Sequence, residues 1–123
     1  MLGLNGVGKT TALYKLRSGR AKLDTEPTMG LNVETIEFKS VSFALWDIGG
    51  NDRIRHIWKH HGLNSAETDA MIYVIDSADV VRMDLARAEL AAQVGESGLG
   101  ALPLLVWANK RLGCPTKEIR SMF

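Results

Sequence analysis

Cysteine is nearly absent. Cys114 is the only one in 123 residues, so no internal disulfide can form and a secreted, disulfide-stapled scaffold is excluded. An excess of one charge is lacking too. Fifteen basic and 14 acidic residues leave a net charge of +1, so bulk charge makes no case for nucleic acid or an acidic membrane. Long apolar runs are missing. The longest, Ala70 to Ile75 and Ala101 to Ala108, fall far short of the ~20 residues of a membrane helix. The first residues have no basic segment followed by an apolar stretch, so no signal peptide is expected. Leu2 breaks the myristoylation pattern. No repeat, low-complexity tract or linker is visible. These absences predict one soluble intracellular domain, for which 46% apolar and 24% charged residues are ordinary. A domain of this size buries roughly two-thirds of its unfolded surface, enough for a single core.

What is present alternates. Thr10 to Ser18 reads as a helix with Leu13 and Leu16 on one face and Gly19 at its C-terminal cap. Residues 20–31 read as a long loop. Asn32–Lys39 and Val41–Asp47 read as two strands of a hairpin. In the second, Val41, Phe43 and Leu45 face one way and Ser42, Ala44 and Trp46 the other. Ile54, Ile57, Trp58 and His61 share a face of a short helix. Ala70–Ile75 is a continuous apolar run, the pattern of a strand buried on both faces, and Leu102–Ala108 is a second. Between them, Val81, Leu85, Ala88 and Ala92 recur at helical spacing after Asp79, an N-cap candidate. Strands alternating with helices predict an α/β sandwich with a mostly parallel sheet and one antiparallel hairpin.

The chemistry begins at residue 3. Gly3, Leu4, Asn5, Gly6, Val7, Gly8, Lys9 and Thr10 satisfy G-x-x-x-x-G-K-[ST] in full, directly before a helix. Such a loop folds its amides into a nest around phosphates, and the helix adds its positive end. Lys9 is placed to reach the β- and γ-phosphates and Thr10 to coordinate Mg²⁺. The alternative is a glycine-rich turn that merely caps the helix. Asp47 ends an apolar strand, where an acid can hold the metal's water shell, and Gly50 can offer its N–H to a γ-phosphate. Thr28 can supply a second hydroxyl to the metal. Asn109 and Lys110 end the last strand, where sheets of this kind bind ligands; there they can brace the loop and lay the lysine stem along a base.

In order along the chain stand Gly3–Thr10, Pro-Thr-x-Gly-x-Asn-Val-Glu at 27–34, Trp-Asp-x-Gly-Gly at 46–50, Ile-Arg-x-x-Trp at 54–58, Val-Ile-Asp-Ser-Ala-Asp at 74–79 and Ala-Asn-Lys at 108–110. Together they resemble a small GTPase of the Arf and Arf-like family. The resemblance implies a P-loop, three-layer α/β sandwich, here one incomplete domain over residues 1–123 that lacks the last strand and helix. It implies a switch that binds GTP and GDP with Mg²⁺ and acts in vesicle and protein trafficking. Nucleotide contacts are expected from residues Gly3 through Thr11, from Gly50, and from Asn109 and Lys110. Metal contacts are expected from Thr10, Thr28 and, through water, Asp47. Lys9 and Asn51 take the catalytic positions. Residues 20–32 would be switch I and 48–62 switch II. Exchange factors, GTPase-activating proteins and effectors are expected to dock on 20–32 and 46–62. The implied location is cytoplasmic, peripheral to the Golgi or other endomembranes.

The departures from the family carry their own expectations. Asn51 stands where the family has the Gln that orients the attacking water. Its side chain is one methylene shorter, and a ~1 Å misplacement can cost ~100-fold in rate, so hydrolysis should be slow. Leu112 stands where Asn-Lys-x-Asp has the aspartate that accepts two hydrogen bonds from guanine. At ~1.5–3 kcal/mol each, losing both costs ~3–6 kcal/mol of base discrimination. The family's amphipathic, lipidated N-terminal helix is absent, so no membrane anchor is expected within these residues. Leu31 and His61 replace aromatic residues that accompany Trp46 on the effector surface. His56 and His60 share a helix face, but without a third spaced ligand no zinc site is expected. Two rivals stay open: a binding module without nucleotide cycling, and an ATP-using P-loop kinase, against which the switch segments argue.

Overall fold

The two residues just ahead of the glycine-rich loop hold the sheet together. In the computed structural model, residues 1–18, 28, 30–55, 58, 68–96 and 101–110 are described. Helix α1 spans Lys9–Ser18, and strands β1 (Leu31–Phe38) and β2 (Val41–Ile48) pair antiparallel across the turn at Lys39 and Ser40. Strands β3 (Met71–Asp76) and β4 (Leu104–Asn109) pair parallel. Residues 1–2 lie between the two pairs. The Met1 amino group donates to the Trp46 carbonyl at 2.5 Å, and the Ile48 amide donates to the Met1 carbonyl at 3.3 Å. On the other side the Leu2 amide donates to Ile72 and the Val74 amide to Leu2, both at 2.8 Å.

The run expected to be a doubly buried strand is β3: Met71, Tyr73, Val74 and Ile75 are buried. It is flanked by residues 1–2 and by β4, and α3 (Met83–Glu96) packs against it. The Tyr73 hydroxyl donates to the Ala86 carbonyl of α3 at 2.8 Å. Strand β4 does not share that burial. Leu104 and Leu105 are exposed and the rest is half-buried, because among the described residues only β3 pairs with it.

On the hairpin, the face that carries Leu45 also carries the buried Ile36 of β1, while Val41 and Phe43 farther along it and Trp46 on the other face are exposed. Two sequence-based expectations about helix faces are corrected. On α1 Ala12 and Leu13 enter the core, while Leu16 is exposed. The inner face of α3 is Met83, Ala86, Leu90 and Gln93, not Val81, Leu85, Ala88 and Ala92. Val80–Arg82 form a tighter 3-10 turn, capped as expected by Asp79, and a change in residues per turn at that junction shifts the phase of the helix behind it. Gly19, residues 20–27, Ile57, His56, His60, His61 and Cys114 lie outside the described residues. Among the described residues no helix is long and apolar enough to cross a membrane.

The buried Met1 amine makes stability depend on pH in a chain that starts at this residue. Burial lowers its pKa from 8.0 to about 6; the Asp47 charge opposes the shift and Lys9 adds to it. Between those values the unfolded state binds more protons, so stability rises from pH 6 to pH 8 and is flat on either side. Two pKa units correspond to ~3 kcal/mol. Denaturant unfolding at pH 6 and 8 should show this difference, and acetylating Met1 should remove it. A step of the same size in the acetylated chain would assign it to another group.

Candidate functional site

Residues 3–8 form a loop whose every carbonyl is held. The Lys9 ammonium crosses back to donate to Gly3 at 2.7 Å and Leu4 at 2.9 Å. Arg82 Nη1 donates to the Asn5 carbonyl at 3.0 Å, Lys110 Nζ to Gly6, and Asn109 Nδ2 to Val7 at 2.7 Å. The Gly8 carbonyl accepts the Ala12 amide at 2.9 Å as the first turn of α1. Since a trans peptide points its N–H opposite its C=O, fixing these carbonyls fixes the amides that follow them. That is how a loop becomes a preformed anion nest. Leu4 and Val7 drop their side chains into the core, leaving only backbone for a ligand, while Asn5 is exposed. Gly8 has a φ of 89°, and a Cβ there would lie 2.5 Å from Asn109 Nδ2, so a side chain would push out the Asn109 brace.

Three oxygens meet beside the loop. Thr10 Oγ1 donates to Asp47 Oδ2 at 2.5 Å and lies 2.8 Å from Thr28 Oγ1, which is 3.4 Å from the same carboxylate oxygen. Asp47 is fully buried, and among the described residues its Oδ1 has no hydrogen-bond partner. Two hydroxyls, one carboxylate and an orphaned buried oxygen are the hard donor set of a Mg²⁺ site that keeps some of its waters. The residues present therefore fit that ion. Lys9 is buried nearby, and burial lowers its pKa to about 8 against the opposing charge of Asp47.

The segment after β2 seals the loop from one side. The Gly49 amide donates to Gly30 at 2.8 Å, and the Gly49 carbonyl accepts Trp58 Nε1 at 2.8 Å. Trp58 is fully buried, so it is a core residue; Trp46 stays on the surface. Asn51 has a second occupation that the sequence did not reveal. Its Oδ1 accepts the Arg53 amide at 3.1 Å and its carbonyl the Arg55 amide at 2.9 Å, which caps helix α2, Asp52–Arg55.

Lys9, Thr10, Thr28, Asp47, Gly50, Asn109 and Lys110 are thus gathered around one loop. Thr11 follows them in the first turn of α1. Asn109 and Lys110 brace the loop as expected, and Lys110 also reaches Asp76 Oδ2 at 2.9 Å. Leu112 lies outside the described residues. Arg82 belongs to none of the sequence motifs. Only its Asp79-x-x-Arg82 spacing hinted at a fixed side chain.

The sequence pattern of the ADP-ribosylation factor family (Arf) matches residues 1–117. Among solved structures, the chain is similar to the Arl6 BBS3 small GTPase from Trypanosoma brucei with the bound nucleotide analogue GppNp. The TM-score is 0.81 at 30% identity, over 99% of this chain and 73% of that one. It also shares its fold with a chain of the mammalian SRP receptor structure, with a TM-score of 0.82 at 21% identity, over 98% of this chain and 68% of that one.

Proposed function

Because this chain belongs to the ADP-ribosylation factor family of small GTPases, we propose that it is a guanine-nucleotide switch in intracellular trafficking with slow hydrolysis, built on residues 1–123 as one domain. The observation that carries the reading is the loop of held carbonyls beside the Thr10–Thr28–Asp47 oxygens. The amides of residues 4–8 and the start of α1 receive the phosphates, and Lys9 leaves the Gly3 and Leu4 carbonyls to join them. Thr10, Thr28 and, through water, Asp47 would hold Mg²⁺, which would supply charge neutralisation at the phosphate oxygens. Gly50 donates its N–H to the terminal phosphate, so the Gly30–Gly49 contact reports which nucleotide is present. Exchange factors, activating proteins and effectors read residues 20–32 and 46–62, and the exposed Trp46 belongs to that surface. The protein works at the cytoplasmic face of endomembranes.

Thermal unfolding with Mg²⁺ and GDP, GTP or ATP tests this. Ligand at 100 times its dissociation constant adds ~2.7 kcal/mol, several degrees for a domain of this size. A shift with guanine nucleotides alone supports the switch. Equal shifts with ATP mean a phosphate site without a base reader, as Leu112 predicts in its severest form. No shift with any nucleotide overturns the reading in favour of a binding module.

Hydrolysis is slow for two reasons that reinforce each other. Asn51 is short for holding the attacking water, and its side-chain oxygen is committed to capping α2. Asn51→Gln should raise single-turnover GTP hydrolysis about 10-fold or more, since a ~1 Å correction is worth up to ~100-fold. The same change should destabilise α2 by ~1 kcal/mol through loss of the cap. An unchanged rate would place the limit elsewhere in the site.

A further inference from the structure

Of the side chains that hold the loop's carbonyls, Arg82 stands apart because its neighbours give it no other task. Lys9, Asn109 and Lys110 belong to the nucleotide-binding motifs. Arg82 comes from the 3-10 turn after β3, 77 residues along the chain from its partner Asn5. It is held at both ends. Its Nε donates to Asp79 Oδ2 at 2.5 Å, and Nη1 donates to both the Asn5 carbonyl at 3.0 Å and Asn5 Oδ1 at 3.1 Å. Asp79 is itself fixed, because its other oxygen accepts the Arg82 amide as the cap of the turn. A guanidinium can serve such a divided arrangement because its planar fork offers donors in fixed directions.

We propose that Arg82, oriented by Asp79, is a positioning residue for nucleotide retention: it pins the Asn5 peptide so that the following Gly6 amide stays turned toward the phosphates. This rests on the nucleotide-switch reading above. Asn5 is the place where a pin is needed. The residue is exposed, and the two glycines after it, Gly6 and Gly8, take positive φ values of 73° and 89°. Leu4 and Val7 on either side are anchored in the core. Among the described residues, the side chains that hold the two carbonyls of this arc are Arg82 and Lys110. Arg82 touches no phosphate and acts wholly through the backbone.

The variants are Arg82→Ala, Arg82→Lys and the double variant Asp79→Ala/Arg82→Ala, in the chain of residues 1–123. Release of a fluorescent GDP analogue is measured in Mg²⁺, and hydrogen exchange of the loop amides is measured without nucleotide. Arg82→Ala should speed release about 10-fold, the scale of one charge-assisted bond, with little change in association rate or ligand-free melting temperature. Arg82→Lys should lie between, since one ammonium cannot satisfy Asp79 and Asn5 together. The double variant should match Arg82→Ala, because Asp79 acts through Arg82. Exchange at Gly6 should quicken while β3 is unchanged. If the parent binds nucleotide and Arg82→Ala releases it within twofold of the parent rate, the proposal is overturned. If the parent binds none, the switch reading fails, and exchange at Gly6 then decides for or against the pin by itself.

Discussion

Replacing Lys9 by alanine is expected to weaken Mg²⁺–nucleotide binding by at least 100-fold while leaving ligand-free stability nearly unchanged. The two effects separate because Lys9 has different partners in the two states. Without ligand its ammonium is buried on the carbonyls of Gly3 and Leu4, and burial has already drawn its pKa down to about 8. Deleting a buried cation relieves its desolvation but strands two carbonyls, and such terms largely cancel, within ~1 kcal/mol. With phosphate present, two charge-assisted bonds at ~1.5–3 kcal/mol each are lost with nothing to offset them. That is two to four powers of ten in affinity. Calorimetric titration together with a ligand-free melt reads both. Unchanged affinity would sink the phosphate-loop assignment, and a collapsed melt would make Lys9 a structural residue first.

Gly50→Ala is the other change with a large expected effect, and it strikes fold and site at once. A Cβ at Gly50 would lie 2.2 Å from the Gly3 carbonyl oxygen, 2.4 Å from the Leu4 carbonyl carbon and 2.5 Å from the Asn5 nitrogen. All three are backbone atoms of the held loop, so no side-chain rotation relieves the clash. The segment after β2 and the phosphate loop must move apart. Overpacking of this kind costs about 1–3 kcal/mol and occasionally more. Here it also displaces the N–H assigned to the terminal phosphate, so GTP should be lost more than GDP. Gly95→Ala is the control. Nothing lies within 4 Å of that Cβ, and the position is in α3, so alanine should stabilise by ~0.5–1 kcal/mol. Denaturant unfolding of the two variants should move in opposite directions. A Gly50→Ala chain as stable as the parent would mean that the two segments are not in contact.

Sequence alone determined the pieces whose signal is local. The Gly3–Thr10 spacing declares a phosphate loop entering a helix, because the glycines and the lysine must be neighbours for the chemistry to work. The apolar run before Asp76 announces β3, since a strand covered on both faces has no polar alternation to show. Thr10, Thr28, Asp47, Asn109 and Lys110 were legible by type and by their places at element ends. Tertiary structure decided everything that depends on which distant atoms become neighbours. Arg82 meets Asn5 across 77 residues of chain, and no periodicity encodes that. Asn51 stands where the family pattern has a Gln, and nothing in that pattern announces its cap of α2, because one oxygen can serve more than one role and only the fold selects. The inner face of α3 escaped because a 3-10 turn precedes it and changes the phase of the helix. The hairpin's alternation stated which residues share a face but not how far along it anything covers them: Ile36 and Leu45 pack on the core, while Val41 and Phe43 on the same face are exposed. Residues 1–2 carry no strand signal at all, yet they join the two halves of the sheet, because backbone hydrogen bonds depend on placement and not on side-chain identity.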